Sequence, residues 1–208
     1  MKDLFGNEMP DSIPVQKRGG GNSVYVINGC SNHCAEARAD EDFYATPSEA
    51  VEMLLEMEDF GKEIWEPCAG MGHISKVLLA HGHDVKSTDL VNRGFTRGGV
   101  DFMQITEKDV QTDIVTNPPY SLAREFVEKA LDVVAEGRKV AMFLKLTFAE
   151  GIARRELFKT NPPIRVWVAS KRLECGKNGV FSGSSAVAYA WWVWQKGYKG
   201  NTTLGWFN

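Results

Sequence analysis

The 208-residue sequence has no apolar run that approaches the roughly 20 residues of a membrane-spanning helix. Residues 1–14 lack the apolar core of a signal peptide. The four cysteines are few, and nothing marks the chain as secreted, so the sequence does not predict a disulfide framework. We therefore expect a cytoplasmic protein with no membrane partner.

An excess of positive charge is also lacking, since the net charge is −3 and the pI is about 5.9. Strong nucleic-acid binders usually carry a basic domain, so this composition argues against tight non-specific binding to nucleic acid. A local basic face is compatible with it, and so is ordinary solvated surface charge. The candidates for such a face are Arg93, Arg97, Arg124, Arg154, Arg155, Lys171, Arg172 and Lys177.

Metal ligands are sparse as well. Cys30, His33 and Cys34 form a C-x-x-H-C cluster, but no further ligand stands at a suitable spacing. This pattern favours a role without metal, and we predict no metal site.

The composition itself, with 43% hydrophobic and 25% charged residues, is that of a globular protein of one ordinary domain. Residues 1–41 show little apolar periodicity and contain the glycine run 19–21 and a short β-like run at 23–27. We interpret residues 1–41 as a mobile N-terminal arm or small appendage. Residues 42–208 then form the main domain.

Strand-like and helix-like patterns alternate from residue 43 onward, which predicts an α/β fold with a mostly parallel sheet. The last two strands have no helix between them, so one strand is expected to be antiparallel. The prediction is a Rossmann-like, seven-stranded sheet with helices on both faces. The expected strands cover residues 63–66, 83–89, 100–102, 113–116, 139–148, 164–169 and 186–194.

Local signals refine this pattern. Thr46 is in position to cap a helix, with Pro47 as its first residue and Glu49 at capping-box spacing. Ser121 is expected to cap a longer helix. The tryptophan-rich strand could offer rings for base stacking, but alternation of faces favours core packing for Trp191, Trp192 and Trp194.

A glycine-containing loop follows the first expected strand of the domain, in residues 66–72 (EPCAGMG). Gly70 and Gly72 permit a tight turn and close contact with a ligand, and the free N–H groups of the next helix suit a carboxylate. The loop is neither G-x-G-x-x-G nor a P-loop, so phosphate binding is weakly supported.

Acidic residues follow the next two expected strands. The Asp89 carboxylate could accept both hydroxyls of a ribose, as acidic residues do in dinucleotide sites. Asp101 could accept from the exocyclic amine of an adenine on which Phe102 stacks. The alternatives are that Asp101 is a turn residue and that Phe102 packs in the core.

The sharpest signal is Asn117, Pro118, Pro119 and Tyr120, at the end of an apolar strand. An aromatic amine is a poor nucleophile, because its lone pair is delocalised into the ring. Two acceptors, the Asn117 side-chain oxygen and the Pro118 carbonyl, could draw it toward tetrahedral geometry and stabilise developing positive charge. Tyr120 could stack on the base. No cysteine adjoins the tetrapeptide in the sequence, so we expect direct methyl transfer without a covalent enzyme intermediate.

The combination of E-P-x-A-G-x-G at residues 66–72 and N-P-P-Y at 117–120 resembles the N6-adenine DNA methyltransferases of the gamma motif order. The chain is most similar to the small methyltransferases of phages and prophages, over roughly residues 43–198. The resemblance implies a bacterial or phage-infected cell, S-adenosylmethionine as cofactor, and DNA with a flipped adenine as substrate. It also implies a catalytic role for Asn117, Pro118, Pro119 and Tyr120, and cofactor binding by Tyr44, Thr46, Pro47, Glu66, Pro67, Cys68, Ala69, Gly70, Gly72, Asp89, Asp101 and Phe102.

The chain departs from many members of that family because it has no room for a long target-recognition domain. Only residues 1–41, 93–99 and 171–184 are candidates for that role. The enzyme is therefore expected to be relaxed in sequence specificity or to rely on a partner in a homodimer. Alternatives that remain are methylation of RNA adenine or of a protein glutamine, and a non-catalytic nucleic-acid-binding module that retains the fold.

Overall fold

The computed structural model describes residues 43–181 and 187–207. The predicted arm at residues 1–41, with the Cys30, His33 and Cys34 cluster, lies outside the described residues. The helices are α1 Ser48–Met57, α2 His73–Ala80, α3 Ala123–Val133 and α4 Arg155–Thr160. The strands are β1 Tyr44–Ala45, β2 Glu63–Glu66, β3 Asp84–Ser87, β4 Asp113–Thr116, β5 Lys139–Lys145, β6 Arg165–Ala169, β7 Gly176–Lys177, β8 Tyr189–Gln195 and β9 Thr203–Phe207.

Seven of these strands form one sheet in the order β3-β2-β4-β5-β8-β6-β9. β8 runs antiparallel to both β5 and β6, and the other pairings are parallel. The predicted seven-stranded, mostly parallel sheet with one antiparallel strand is confirmed. The short strands β1 and β7 pair with each other in a separate antiparallel ribbon.

The membership of the sheet differs from the prediction at two strands. The strand predicted at residues 100–102 is wrong, because Phe102–Gln104 forms a 3-10 turn in which the Asp101 carboxylate accepts Met103 N at 2.9 Å. The strand β9 was not predicted. It pairs in parallel with β6 and is the seventh strand of the sheet. Its ladder joins Arg165–Ala169 to Thr203–Phe207, a partner that local sequence patterns do not reveal.

Helices cover both faces of the sheet, as predicted. On one face α1 and α2 bury residues such as Leu54 and Leu78, and on the other α3 and α4 bury Val127 and Leu157. The predicted core packing of the tryptophans is confirmed. Trp191 is buried on the face covered by α1 and α2, and Trp192 and Trp194 are buried on the face covered by α3 and α4. Within the described residues, no helix has the length and apolar character needed to cross a membrane.

The helix starts correct two local predictions. Pro47 rather than Thr46 is the N-cap residue of α1, and no side chain caps this end; the Pro47 carbonyl accepts Ala50 N at 3.0 Å. The Thr46 hydroxyl instead accepts a hydrogen bond from Asn117. Ser121 lies within a 3-10 turn, Tyr120–Leu122, and α3 begins only at Ala123 with Leu122 as its N-cap residue.

Candidate functional site

Most of the residues singled out in the sequence converge at one edge of the sheet, where the parallel strands β2, β3 and β4 end. In parallel α/β sheets this edge is where ligands bind. A narrow cleft opens there. Its lining residues are Phe43, Tyr44, Ala45, Thr46, Glu66, Cys68, Ala69, His73, Ile74 and Asn117.

The loop after β2 takes the conformation that its glycines were predicted to allow. Gly70 has φ +54° and Gly72 has φ +78°, values that favour glycine over residues with a Cβ. The ring of Phe43 lies against Gly70 and that of Phe95 against Gly72, where a Cβ would otherwise project. A side chain at either position would be strained and would also collide with an aromatic ring.

Asp89 joins this loop to the loop that follows β3. Its Oδ2 accepts Gly70 N at 2.7 Å, its Oδ1 accepts Val91 N at 2.8 Å, and the residue is 9% exposed. Each carboxylate oxygen has a second lone pair and so can accept a further donor. Asp89 can therefore still accept hydrogen bonds from the hydroxyls of a ribose, and this contact stays a prediction.

Asp101 and Phe102 lie in the 3-10 turn rather than at a strand end. The Asp101 carboxylate bonds the backbone of Met103, while the Phe102 ring is 2% exposed. That ring meets Trp65 edge-on and stacks on Phe126, with centroids 5.4 and 5.5 Å away. Both residues thus have the structural roles that the sequence offered as alternatives, and their contacts with adenine stay predictions.

Glu66 is a carboxyl group almost wholly removed from water, with 1% exposure. Burial raises its pKa to about 8, and the nearby Asp89 charge adds to the rise, although a hydrogen bond from Ser75 opposes it. Near neutral pH much of this group is protonated. A ligand with a positive charge would favour its ionised form, because an opposite charge stabilises a carboxylate.

Among the described residues, only the amide nitrogen of the Asn117 side chain has hydrogen-bond partners. Its Nδ2 donates to the Tyr44 carbonyl at 2.8 Å and to the Thr46 hydroxyl at 3.0 Å. Its Oδ1 is buried and has no hydrogen-bond partner in the structure. A buried acceptor without a donor costs free energy, and such an atom is a candidate for ligand binding.

The two prolines that follow hold the chain in a tight turn. Pro118 is buried, and the Pro119 carbonyl accepts Leu122 N at 3.0 Å. Tyr120 is half-buried, with the Tyr44 and Tyr189 ring centroids 5.5 and 6.0 Å from its own. The Lys145 ammonium lies 4.9 Å from the centre of the Tyr120 ring.

A cysteine that is distant in the sequence adjoins the tetrapeptide in space. The Tyr120 hydroxyl lies 3.7 Å from Cys175 Sγ. Burial raises the pKa of the Cys175 thiol to about 11 and that of the Cys68 thiol well above its usual value. A protonated thiol is a poor nucleophile, so neither group is suited to attack a substrate.

Sequence reasoning missed part of the wall of this site. Phe43, Ala45, His73 and Ile74 line the cleft, and Lys145, Cys175 and Tyr189 surround Tyr120. Phe43 and Ala45 directly flank Tyr44, so their position could have suggested them. The residues around Tyr120 carry no such signal, because packing alone brings them together. No group of three or more candidate ligands for a metal occurs among residues 43–181 and 187–207.

Comparisons with solved structures agree with this architecture, although no family model and no curated protein matches the sequence. A candidate RNA methyltransferase from Pyrococcus horikoshii is similar over 76% of this chain and 89% of its own, at 15% identity and a TM-score of 0.55. The 23S rRNA methyltransferase ErmE is similar over 76% and 73%, at 15% identity and a TM-score of 0.52.

Two further structures are also similar. The modification subunit of a candidate type I restriction enzyme from Vibrio vulnificus matches over 80% of this chain and 47% of its own, at 16% identity and a TM-score of 0.52. A candidate class I S-adenosylmethionine-dependent methyltransferase from Listeria monocytogenes matches over 77% and 62%, at 11% identity and a TM-score of 0.51. The fold is that of the class I methyltransferases. In this methyltransferase fold, the cleft and Asn117 lie together at the carboxyl edge of the sheet.

Proposed function

We propose that this protein transfers a methyl group from S-adenosylmethionine to the N6 amine of adenine in DNA. The observation that carries the proposal is Asn117: its Nδ2 is bound on one side by Tyr44 and Thr46, and its buried Oδ1 has no partner. That oxygen is suited to accept one N–H of an amine. An exocyclic amino group is therefore the substrate chemistry that this site fits best.

The residues of the cleft fit the proposed cofactor by charge and shape. S-adenosylmethionine carries a positive sulfonium and an ammonium, and bound here it would supply the electrophilic methyl group. Glu66 would offer a carboxylate to positive charge, Asp89 would accept from ribose hydroxyls, and Gly70 and Gly72 would allow close backbone contact. The similar structure from Listeria monocytogenes, which is described as an S-adenosylmethionine-dependent methyltransferase, supports this assignment.

The cleft is narrow, at about 20 Å³, which is room for about one water molecule. A cofactor of nucleoside size therefore requires side chains of the cleft to move. The ring of Phe43, which lines the cleft and rests on Gly70, is the first candidate; the ring of Phe95 lies outside the lining but rests on Gly72 of the same loop. The Phe43 backbone is itself held, because its carbonyl accepts Asn178 N at 3.0 Å.

The residues of the tetrapeptide would act on the amine by position and hydrogen bonding. Asn117 Oδ1 and the Pro118 carbonyl would accept its two N–H bonds, which localises the lone pair on nitrogen and stabilises the positive charge that develops. Tyr120 would hold the plane of the base, and the prolines would limit the freedom of the acceptors. The raised pKa values of the Cys68 and Cys175 thiols make both groups poor nucleophiles, which agrees with direct transfer.

DNA is proposed over RNA on the resemblance of the two motifs, with support from the restriction-modification subunit among the similar structures. RNA adenine is the second candidate, because two other similar structures are described as RNA methyltransferases. Sequence specificity is proposed to be relaxed. Part of the candidate recognition segment 171–184 is committed to the site wall, since β7 pairs with β1 and Cys175 contacts Tyr120.

The proposal is tested by incubating the protein with methyl-labelled S-adenosylmethionine and with DNA or RNA of mixed sequence. Mass spectrometry of the digested nucleosides should show N6-methyladenine in the DNA. The variant Asn117→Ala should lose transfer by at least about 100-fold, the scale of removing one acceptor or donor aimed at developing charge. Its affinity for S-adenosylmethionine, measured by calorimetry, should fall far less than its rate of transfer, although Asn117 also lines the cleft.

Asn201→Ala is the matched control, since Asn201 is exposed in the connection between β8 and β9. Methylcytosine as the sole product, or methylation of RNA alone, would contradict the DNA adenine proposal. Near-native turnover of Asn117→Ala would show that the tetrapeptide does not have the proposed role.

A further inference from the structure

Residues 43–46, which precede Pro47 and α1, lie beside both the proposed cofactor cleft and Asn117. We name residues 43–46 the strap. All four line the cleft in which the cofactor is proposed to bind. The strap is anchored by β7, with Tyr44 opposite Lys177 and Ala45 opposite Gly176 in an antiparallel ladder.

The strap also contacts the catalytic loop through Asn117. The Tyr44 carbonyl and the Thr46 hydroxyl both accept hydrogen bonds from Asn117 Nδ2, across 73 and 71 residues of sequence. Thr46 is 2% exposed, so this hydrogen bond is shielded from water. The hydroxyl has no role in capping α1, because no side chain caps that helix.

These contacts decide which end of the amide faces the target. The two ends of an asparagine amide are alike in shape, and only hydrogen bonding distinguishes them. With Nδ2 turned toward two oxygens of the strap, Oδ1 turns away and is left as a buried acceptor without a partner. If the amide were reversed, Oδ1 would face the Tyr44 carbonyl, and Nδ2 would meet the target amine donor against donor.

We propose that Thr46 is a positioning residue for the target amine, which acts by holding the Asn117 amide in the orientation that presents Oδ1. This proposal rests on the proposed function. It goes beyond cofactor contact, because it gives the Thr46 side chain a role toward the second substrate. The strap then links the cofactor cleft to the acceptor of the target base.

The experiment uses the full chain with two changes at one position. Thr46→Val keeps the shape of the side chain and removes the hydroxyl, whereas Thr46→Ser keeps the hydroxyl. Thr202→Val is the control elsewhere, because the Thr202 hydroxyl donates to the Pro163 carbonyl at 2.7 Å, away from the site. The first measurement is hydrogen exchange of the Asn117 side-chain amide by NMR, with the resonance assigned from Asn117→Ala.

In Thr46→Val this exchange should be faster than in the wild type, and Thr46→Ser should restore most of the protection. The second measurement is methyl transfer. Thr46→Val should lower kcat about 10-fold, the order expected for one buried hydrogen bond, and change KM for DNA less than about 2-fold. Because Thr46 also lines the cleft, the affinity for S-adenosylmethionine is measured separately and should fall by a smaller factor than kcat. Thr202→Val should leave both measurements at wild-type values.

Several outcomes would overturn the proposal. One is amide exchange in Thr46→Val equal to the wild type. Another is weakened cofactor binding with unchanged amide exchange, which would make Thr46 a direct cofactor ligand. Equal loss in Thr46→Val and Thr46→Ser would indicate a packing role. If the wild type transfers no methyl group to DNA or RNA, the proposed function fails, and the exchange measurement still decides whether Thr46 holds the amide.

Discussion

Glu66 lies at the end of β2 with 1% exposure, in the cleft beside the glycine loop. Its pKa of about 8, against an ordinary value of 4.5, reflects burial above all; the hydrogen bonds with Ser75 lower the pKa, and the Asp89 charge raises it by a smaller amount. In the folded protein the proton is held over a pH range in which the unfolded chain has already released it. Folding therefore becomes less favourable as the pH rises from about 4.5 toward 8, and this loss is absent below that range.

Replacing Glu66 with Gln should remove this dependence. We expect the difference in free energy of unfolding between Glu66→Gln and the wild type to shift in favour of the variant by up to about 3 kcal/mol from pH 5 to pH 8. This figure follows from the size of the pKa shift. Urea unfolding at several pH values measures it. Glu63→Gln, on the exposed start of the same strand, is the control and should follow the wild type. Parallel curves for Glu66→Gln and the wild type would contradict the assigned pKa.

At the scale of the elements, α1, β5 and β6 are joined around one carboxylate at the end of the sheet opposite the site. Glu58, at the C-cap of α1, has a fully buried side chain. Its carboxylate accepts hydrogen bonds from Lys139 Nζ at 2.8 Å, Arg165 Nη2 at 2.6 Å and Trp167 Nε1 at 2.9 Å. Burial alone would raise the Glu58 pKa, but these hydrogen bonds outweigh it and lower the pKa.

Removal of this carboxylate should destabilise the fold. Glu58→Ala leaves Lys139 and Arg165, which are 19% and 28% exposed, without their shared partner. We expect a loss of about 3 kcal/mol in the free energy of unfolding, measured by urea denaturation at pH 7. Glu56→Ala, an exposed change on the same helix, should stay within about 0.5 kcal/mol of wild type. Equal stability of the two variants would show that the cluster contributes little.

At the scale of the whole molecule, the chain combines a net charge of −3 with a cation placed at the proposed base site. Lys145 ends β5, and its ammonium lies 4.9 Å from the centre of the Tyr120 ring. Under the proposed function, this local cation in an acidic protein is suited to contact a phosphate of the nucleic-acid substrate. Binding should then be weak overall and sensitive to salt.

Lys145→Gln should raise KM for DNA several-fold and reduce the slope of log affinity against log salt by about 1, as loss of one phosphate contact predicts. Affinity for S-adenosylmethionine should not change. Lys108→Gln is the control, because Lys108 is exposed and pairs with Asp132 at 2.7 Å, before the start of β4. Binding measured at several salt concentrations decides the point, and an unchanged slope would exclude a phosphate contact for Lys145.

The sequence by itself located the strand ends that precede the glycine-containing loop and the tetrapeptide. Apolar runs that end in Glu66–Gly72 and in Asn117–Tyr120 mark strand ends, and glycine and proline mark the turns that follow. These signals are local, since each depends on neighbours a few positions away. They predicted the fold class and placed Gly70, Asp89 and Asn117 at one edge of the sheet, as the structure does.

The tertiary structure alone decided which side chains meet across long stretches of chain. Thr46 has a cap-like sequence setting, but its hydroxyl bonds Asn117, 71 residues away. Cys175 and Lys145 meet Tyr120 only because β5, β7 and the 3-10 turn after β4 converge. β9 joins the sheet through a ladder with β6. Hydrogen bonding and packing between distant segments depend on the assembled fold, which the periodicity of a single segment does not encode.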